Sequence, residues 1–183
     1  MDGKVAAADG TSKWITNEIS RGDVARLRSE CDAIVTGTGT IFADDPALTV
    51  RGINRADATF SPTRVILGKR PIPSGAKVLD DSAPTFHLQS DDLSQLIELS
   101  ITKGWNRILI EAGPSLTNSF LKAGLFDELF LYQAPILLGG SSSFVTDLGI
   151  RNISERLNLE LHSVETLGFE QRDLRLHLLA VNS

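Results

Sequence analysis

Three consecutive aliphatic residues, Ile108, Leu109 and Ile110, run directly into Glu111-Ala112-Gly113-Pro114-Ser115-Leu116. This junction restricts the fold more than any other stretch. So short an unbroken apolar run suits a strand covered on both faces, as parallel strands are. The Gly-Pro pair ends the strand. A helix follows, with Leu116, Phe120 and Leu121 on one side and Thr117, Asn118 and Ser119 on the other. Pro114 suits the first helical turn, where its missing N–H removes no hydrogen bond. Gly113 lets a ligand come close to the backbone, and the start of a helix favours a phosphate through its N–H groups and dipole. Glu111 falls at the carboxyl end of the strand, the edge at which open α/β sheets bind their ligands. Taken alone, the stretch reads equally well as an anion cradle beside a carboxylate and as an ordinary strand-turn-helix.

Further strands are read at Ala33 to Thr36, Arg64 to Leu67, Thr85 to Leu88 and Glu128 to Ala134. Val5 to Ala8 reads as a short strand or strand end. Gly37-Thr38-Gly39-Thr40 reads as the loop after the first buried strand, and Asp44-Asp45-Pro46 as a turn ahead of Leu48 to Arg51. Thr16 is placed to cap a helix reaching Ser29, with Ile19, Val24 and Leu27 as its buried stripe and Arg21, Arg26 and Arg28 near its polar side. Asp92 to Lys103 spaces Leu93, Leu96, Ile97 and Ile101 for one helix face and stops at Gly104. The helix after Gly113 runs to Ala123 and stops at Gly124. After Pro135 the pattern changes: Leu159 to Thr166 and Leu174 to Val181 alternate in part, with Gly168 between them, as in an antiparallel hairpin. Strands alternating with helices, then a hairpin, imply a mixed α/β sheet. No repeat or linker divides the chain, and 183 residues with 42% hydrophobic content suffice for one domain with a full core.

A net charge of −5 excludes the broad basic face of a general nucleic-acid binder, while leaving room for a local anion site. The single cysteine, Cys31, permits no internal disulfide and reads as a small apolar residue near a helix end. No apolar run is long enough for a membrane span and no signal peptide is visible, so the expected location is the cytoplasm. His87, His162 and His177 lie far apart in strand-like segments, which leaves no metal-ligand set. His162 and His177 are expected on the exposed face of the hairpin. No nucleophile elbow or Cys/His arrangement suggests covalent catalysis. Neither glycine-bearing turn is a G-x-G-x-x-G or a P-loop, yet two such turns at one sheet edge could embrace a dinucleotide from both sides.

Several blocks occur in one order and spacing: Asp2-Gly3-Lys4; Ser12-Lys13-Trp14-Ile15-Thr16; Asp23-Val24 with Leu27-Arg28; Gly37 to Thr40; Ala43-Asp44-Asp45-Pro46 with Leu48-Thr49-Val50-Arg51; Glu111 to Leu116; and Ala134-Pro135 with Leu138-Gly139-Gly140. Together they resemble the reductase domain of the bifunctional bacterial riboflavin-biosynthesis deaminase/reductase, over nearly the whole chain. The resemblance implies an α/β, dihydrofolate-reductase-like mixed sheet flanked by helices, ending in the antiparallel hairpin, in a homodimer. It implies NADPH-dependent reduction of 5-amino-6-(5-phosphoribosylamino)uracil to the ribitylamino product, with a hydride delivered to the anomeric carbon of the opened ribose. By the same resemblance Trp14, Thr40, Asp44 and the turn Gly113, Pro114, Ser115, Leu116, Thr117, Asn118 and Ser119 would contact NADPH. Ser12, Arg28, Leu48 and Arg51 would hold the substrate, the arginines suiting its phosphate. Glu111 would face the reacting end, and Lys4 would polarise the opened sugar or deliver a proton.

Two departures stand out. Ala112 takes a position where relatives often carry a second Gly, and Gly68-Lys69-Arg70 follows a strand that commonly ends in Asp. Lys69 and Arg70 read as surface charge, or as partners for the cofactor's 2′-phosphate. The chain starts inside the first motif of the family and has no deaminase zinc motif, so residues 1–183 are expected to form one reductase domain from a longer bifunctional chain. Two other readings are a reductase of another pterin-like substrate on the same fold, and a non-catalytic nucleotide-binding or dimerisation module.

Overall fold

The computed structural model describes residues 1–50, 61–170 and 172–181. They fall into two compact units, Gly22–Leu116 and Met1–Arg21 with Thr117–Ser183. Among the described residues no helix is long and apolar enough to cross a membrane.

The first unit holds four parallel strands, β1 (Ala33–Gly37), β2 (Thr63–Leu67), β3 (Thr85–Leu88) and β4 (Ile108–Ile110), in the order β3-β2-β1-β4. The chain lays β2 and β3 on one side of β1, then returns to the other side for β4. The strand order therefore reverses between β1 and β4. The helices are α1 (Glu18–Ser29), which starts in the other unit, α2 (Thr38–Asp44), α3 (Ser94–Lys103) and α4 (Pro114–Ala123), which ends in it. The core packs Ile34, Ile41, Leu48, Ile66, Ala76 and Val78 together. Each such aliphatic side chain contributes about 1.5–3 kcal/mol when fully removed from water.

Local departures from the sequence reading have physical causes. Gly37 to Thr40 is not a loop, because Thr38 opens α2 directly after β1. Burial of Thr38 and Ile41 holds this short helix where propensity alone would not. Asn17, not Thr16, caps α1: its Oδ1 accepts from the Ser20 N–H at 2.9 Å. Leu27 of the expected stripe is buried, Ile19 is exposed, and Ala25 is buried in its place. On α3 only Leu96 is buried, while Ile97 and Ile101 are exposed. Ile101, five residues on, lies about 140° around the helix from Leu96. The strand expected at Val5 to Ala8 reduces to one bridge between Lys4 and Ser143. Cys31 is buried, and its thiol donates to the Leu27 carbonyl at 3.2 Å.

The second unit carries three antiparallel strands, β5 (Glu128–Gln133), β6 (Leu159–Leu167) and β7 (Asp173–Ala180), in the order β5-β7-β6. The hairpin is present, with a bulge between Leu161 and Ser163. His162 is exposed as expected. His177 is not, because β7 is the central strand and both neighbours cover it. Its ring stacks on Phe130 at 4.2 Å and meets the edge of His162 at 4.7 Å. Its Nε2 lies 2.8 Å from the Glu128 carboxylate. Asp173 is fully buried, and its Oδ2 accepts from the Asn17 N–H and the Ser20 hydroxyl, each at 2.7 Å.

One charged side chain sits wholly inside the parallel unit. Arg64, in β2, is 0% exposed. Its Nε donates to the Thr85 hydroxyl at 2.9 Å, and NH1 to Asp80 Oδ1 at 2.7 Å, to the Ser82 hydroxyl at 3.2 Å and to the Ala47 carbonyl at 3.3 Å. NH2 donates to the carbonyls of Asp80 and Ala83. A buried guanidinium is tolerable only when its donors are satisfied in this way. Hydrogen bonding from the Ser82 hydroxyl, then from Arg64, holds the Asp80 carboxyl down at about 2, from an ordinary 3.8.

Two outcomes follow. Asp80→Asn lowers thermal stability near neutral pH. Because the carboxyl is depressed in the folded state, the stabilisation is present above 3.8 and is lost as pH falls toward 2. The melting-temperature gap between parent and variant should therefore close over that acid range. Gly68 has φ +128°, and a Cβ there would stand 2.5 Å from the Thr38 hydroxyl oxygen. Gly68→Ala should cost roughly 1–3 kcal/mol in denaturant unfolding, and Thr38→Ala should recover only the steric part.

Candidate active site

The reversal between β1 and β4 opens a crevice beyond their carboxyl ends, the place where open α/β sheets bind ligands. The register sets Val35 opposite Ile110, and the Glu111 N–H still donates to the Val35 carbonyl at 2.9 Å. Gly37 and Glu111 thus leave the sheet side by side. Leu116, in the first turn of α4, packs where a Gly37 Cβ would lie, at 3.6 Å. The Thr40 hydroxyl would stand 3.8 Å from a Cβ on Gly113. The Gly113 turn therefore faces the first turn of α2, where the sequence had suggested a second glycine-bearing turn. Gly113 keeps φ outside the left-handed region, so the turn uses its missing side chain rather than its backbone freedom. A Cβ on Gly39 would meet nothing within 4 Å, so this side of α2 is open.

Arg28 reaches this edge from the last turn of α1. Its Nε donates to Glu111 Oε2 at 2.8 Å, NH2 donates to Oε1, and NH1 donates to the Thr49 carbonyl at 3.1 Å. The side chains are 19% and 35% exposed, so solvent screens the pair only in part. A two-pronged guanidinium fixes the carboxylate in plane and position. Arg28, expected on the substrate phosphate, is thus engaged with Glu111 and with the strap that follows α2.

That strap is strained and tied. Asp45 and Leu48 have φ of +41° and +49°. Such residues persist only where their surroundings hold them, and they concentrate at functional sites. Asp45 Oδ1 accepts from the Lys77 N–H at 2.9 Å, and the Lys77 ammonium lies 3.1 Å from the carboxylate. Those bonds, the backbone one first, lower the Asp45 carboxyl below its ordinary value. The Ala47 carbonyl is held by Arg64 and the Thr49 carbonyl by Arg28. Leu48, between them, is buried in the core. Asp44 is exposed. Arg51 lies outside the described residues.

The remaining expected site residues belong to the other unit. Lys4 lines a shallow open recess together with Gly3, Ile15, Leu131 and Phe144. Trp14 is 75% exposed with φ +67°, and the Arg21 guanidinium lies 4.4 Å from its ring centroid. Ser12 is exposed. Asn118 is buried: its Oδ1 accepts from the Thr146 N–H at 3.2 Å, and its amide donates to the Thr146 hydroxyl and the Asp147 carbonyl. Its side chain therefore clamps residues 146–147. Trp14 and Leu48, both expected at the site, are two of the three non-glycine residues with positive φ among those described. Sequence reasoning missed the Thr49 carbonyl and the strap anchors Arg64 and Lys77. The available signal for Arg64 was a lone charge opening a strand that is otherwise apolar.

Comparison with known proteins agrees with this architecture. The family model described as the RibD C-terminal domain matches residues 1–170. The riboflavin biosynthesis protein RibD of Mycobacterium tuberculosis is 43% identical over 180 residues, covering 98% of this chain and 52% of the relative. The chain thus spans about half the length of this relative. The 2,5-diamino-6-ribosylamino-4(3H)-pyrimidinone 5′-phosphate reductase of Methanothermobacter thermautotrophicus is 34% identical, covering 92% of this chain and 89% of the relative. The structure of Acinetobacter baumannii RibD superposes with a TM-score of 0.85 at 32% identity, covering 98% of this chain and 55% of that one. With the same mixed α/β fold and a match over nearly its whole length, the chain belongs to the RibD C-terminal domain family.

Proposed function

We propose that this chain is a reductase of riboflavin biosynthesis that reduces 5-amino-6-(5-phosphoribosylamino)uracil to its ribitylamino product with NADPH. The observation that carries the reading is the Arg28–Glu111 pair, set at the reversal point of the sheet beside the Gly113 turn. A relative matched over 89% of its length is named as a ribosylaminopyrimidinone phosphate reductase, which supports the same substrate class.

The open side of α2 at Gly39 and the turn at Gly113 fit an extended dinucleotide. Thr40, Asp44 and Gly113 to Leu116 would hold NADPH from this unit, and Trp14 and Thr117 to Ser119 are assigned to it from the other by resemblance. When bound, NADPH supplies the hydride. Glu111, fixed by Arg28, orients the hydroxyl groups of the opened sugar. Leu48, through its backbone because its side chain is buried in the core, and Arg51 hold the substrate, and Arg28 fixes Glu111 toward it. The roles of Lys4 as proton donor and Ser12 as substrate contact rest on resemblance alone. Homodimer formation is part of the same proposal. It is supported by Leu161 and Val164, aliphatic residues 55% and 50% exposed on the edge strand β6. A cytoplasmic location belongs to the same proposal.

NADPH oxidation with the ribosylaminouracil phosphate, against an NADH control, tests the reading. NADPH oxidation with dihydrofolate and none with the ribosylaminouracil phosphate would favour a pterin-like substrate, and binding without oxidation a non-catalytic module. Glu111→Gln should lower turnover by about 10²-fold or more while NADPH affinity stays unchanged. Equal turnover removes Glu111 from the chemistry. A double-mutant cycle on turnover with Arg28→Ala and Glu111→Gln should give a coupling of about 1 kcal/mol for this partly screened pair. Additive effects would show that the two act separately.

A further inference from the structure

We propose that Arg64 is a positioning residue for substrate binding, acting through the Ala47 carbonyl to hold Leu48 and Thr49 in their binding conformation. The proposal rests on the reading of Leu48 as a substrate contact. Arg64 stands in a strand buried on both faces, next to Val65, Ile66 and Leu67, all 5% exposed or less. An aliphatic residue would meet every packing demand there. Asp80, its one ionic partner among the described residues, is 52% exposed. Such a pair gives little stability for the desolvation it requires.

What the guanidinium supplies is a junction. Nε and NH2 bind Thr85, the first residue of β3, and Ala83 and Asp80 on the connection before it, where NH1 also binds the Asp80 carboxylate and the Ser82 hydroxyl. NH1 in addition reaches the strap, at the Ala47 carbonyl, 3.3 Å away. The next residue, Leu48, is one of two in the strap with positive φ. The carbonyl after that, at Thr49, is held by Arg28, which also holds Glu111. One bonded line thus runs from the β3 connection through Arg64, the strap and Arg28 to the carboxylate. A lysine at position 64 keeps the charge but has no planar fork to serve acceptors on both sides.

Arg64→Lys tests this, with Thr85→Val as a control that removes the Nε acceptor and leaves the strap bond. In Arg64→Lys the substrate KM should rise about tenfold, the loss of one charge-assisted hydrogen bond. kcat and the NADPH KM should stay unchanged, and the Asp45–Val50 peptide should exchange its amide hydrogens faster. Thr85→Val should lower the melting temperature without moving KM. If Arg64→Lys does not fold, Asp80→Asn should show a smaller KM rise in the same direction. An unchanged substrate KM in the folded variant, or an equal rise in Thr85→Val, overturns the proposal. If the parent itself does not turn over this substrate, the function reading fails, and exchange in the Asp45–Val50 peptide decides the positioning role alone. Unaltered exchange there also overturns it.

Discussion

The pairing of β4 with β1, on the side away from β2, governs the carboxyl edge of the parallel sheet. Had β4 continued past β3, two strands would have stood between the Gly113 turn and α2, and Glu111 would have lost its neighbour at Val35. Because β4 returns to β1, Thr40 and Gly113 meet and Leu116 seats itself over Gly37. Glu111 comes within reach of a guanidinium from α1. Burial holds this arrangement: Ala33, Ile34, Val35, Val65 and Ile66 are fully inaccessible. No slip of register is tolerable in strands so enclosed.

Much of this was legible in the residues. The strands were visible because apolar runs such as Arg64 to Leu67 and Ile108 to Ile110 leave no polar face to turn outward. The hairpin was visible because Leu174, Leu176 and Leu178 alternate with Arg175 and His177. The start of α2 was not, since two glycines and two threonines look like a turn to any local rule, and the packing that overrides it is tertiary. His177 was misplaced because alternation shows which residues share a face but not which strand will be central. The partner of Arg28 was illegible for a plainer reason: Glu111 lies 83 residues away. No local pattern distinguishes an arginine that will meet a carboxylate from one that will meet water.

Polar side chains here bind structure more than surface. Asp45, Arg64, Asn118 and Asp173 each hold a segment distant in sequence. Three of the four have an ordinary loop or helix-surface reading when met in sequence. Their spacing carries no period, so only the folded backbone shows what they join.

The cap that Asp173 places on Asn17 joins residues 156 positions apart. The unit to which both belong is discontinuous, made of the first 21 residues and everything from Thr117 onward. During vectorial synthesis the parallel strands of Gly22–Leu116 leave the ribosome before β5 to β7 do. Residues 1–21 must wait for the strands that follow Thr117, since the Asn17 N–H meets Asp173 only once β7 has left the ribosome. Contacts of such long range form slowly. Between these events residues 1–21, with Ile15, stay uncovered, which leaves them open to chaperones and to misassociation in a nascent chain.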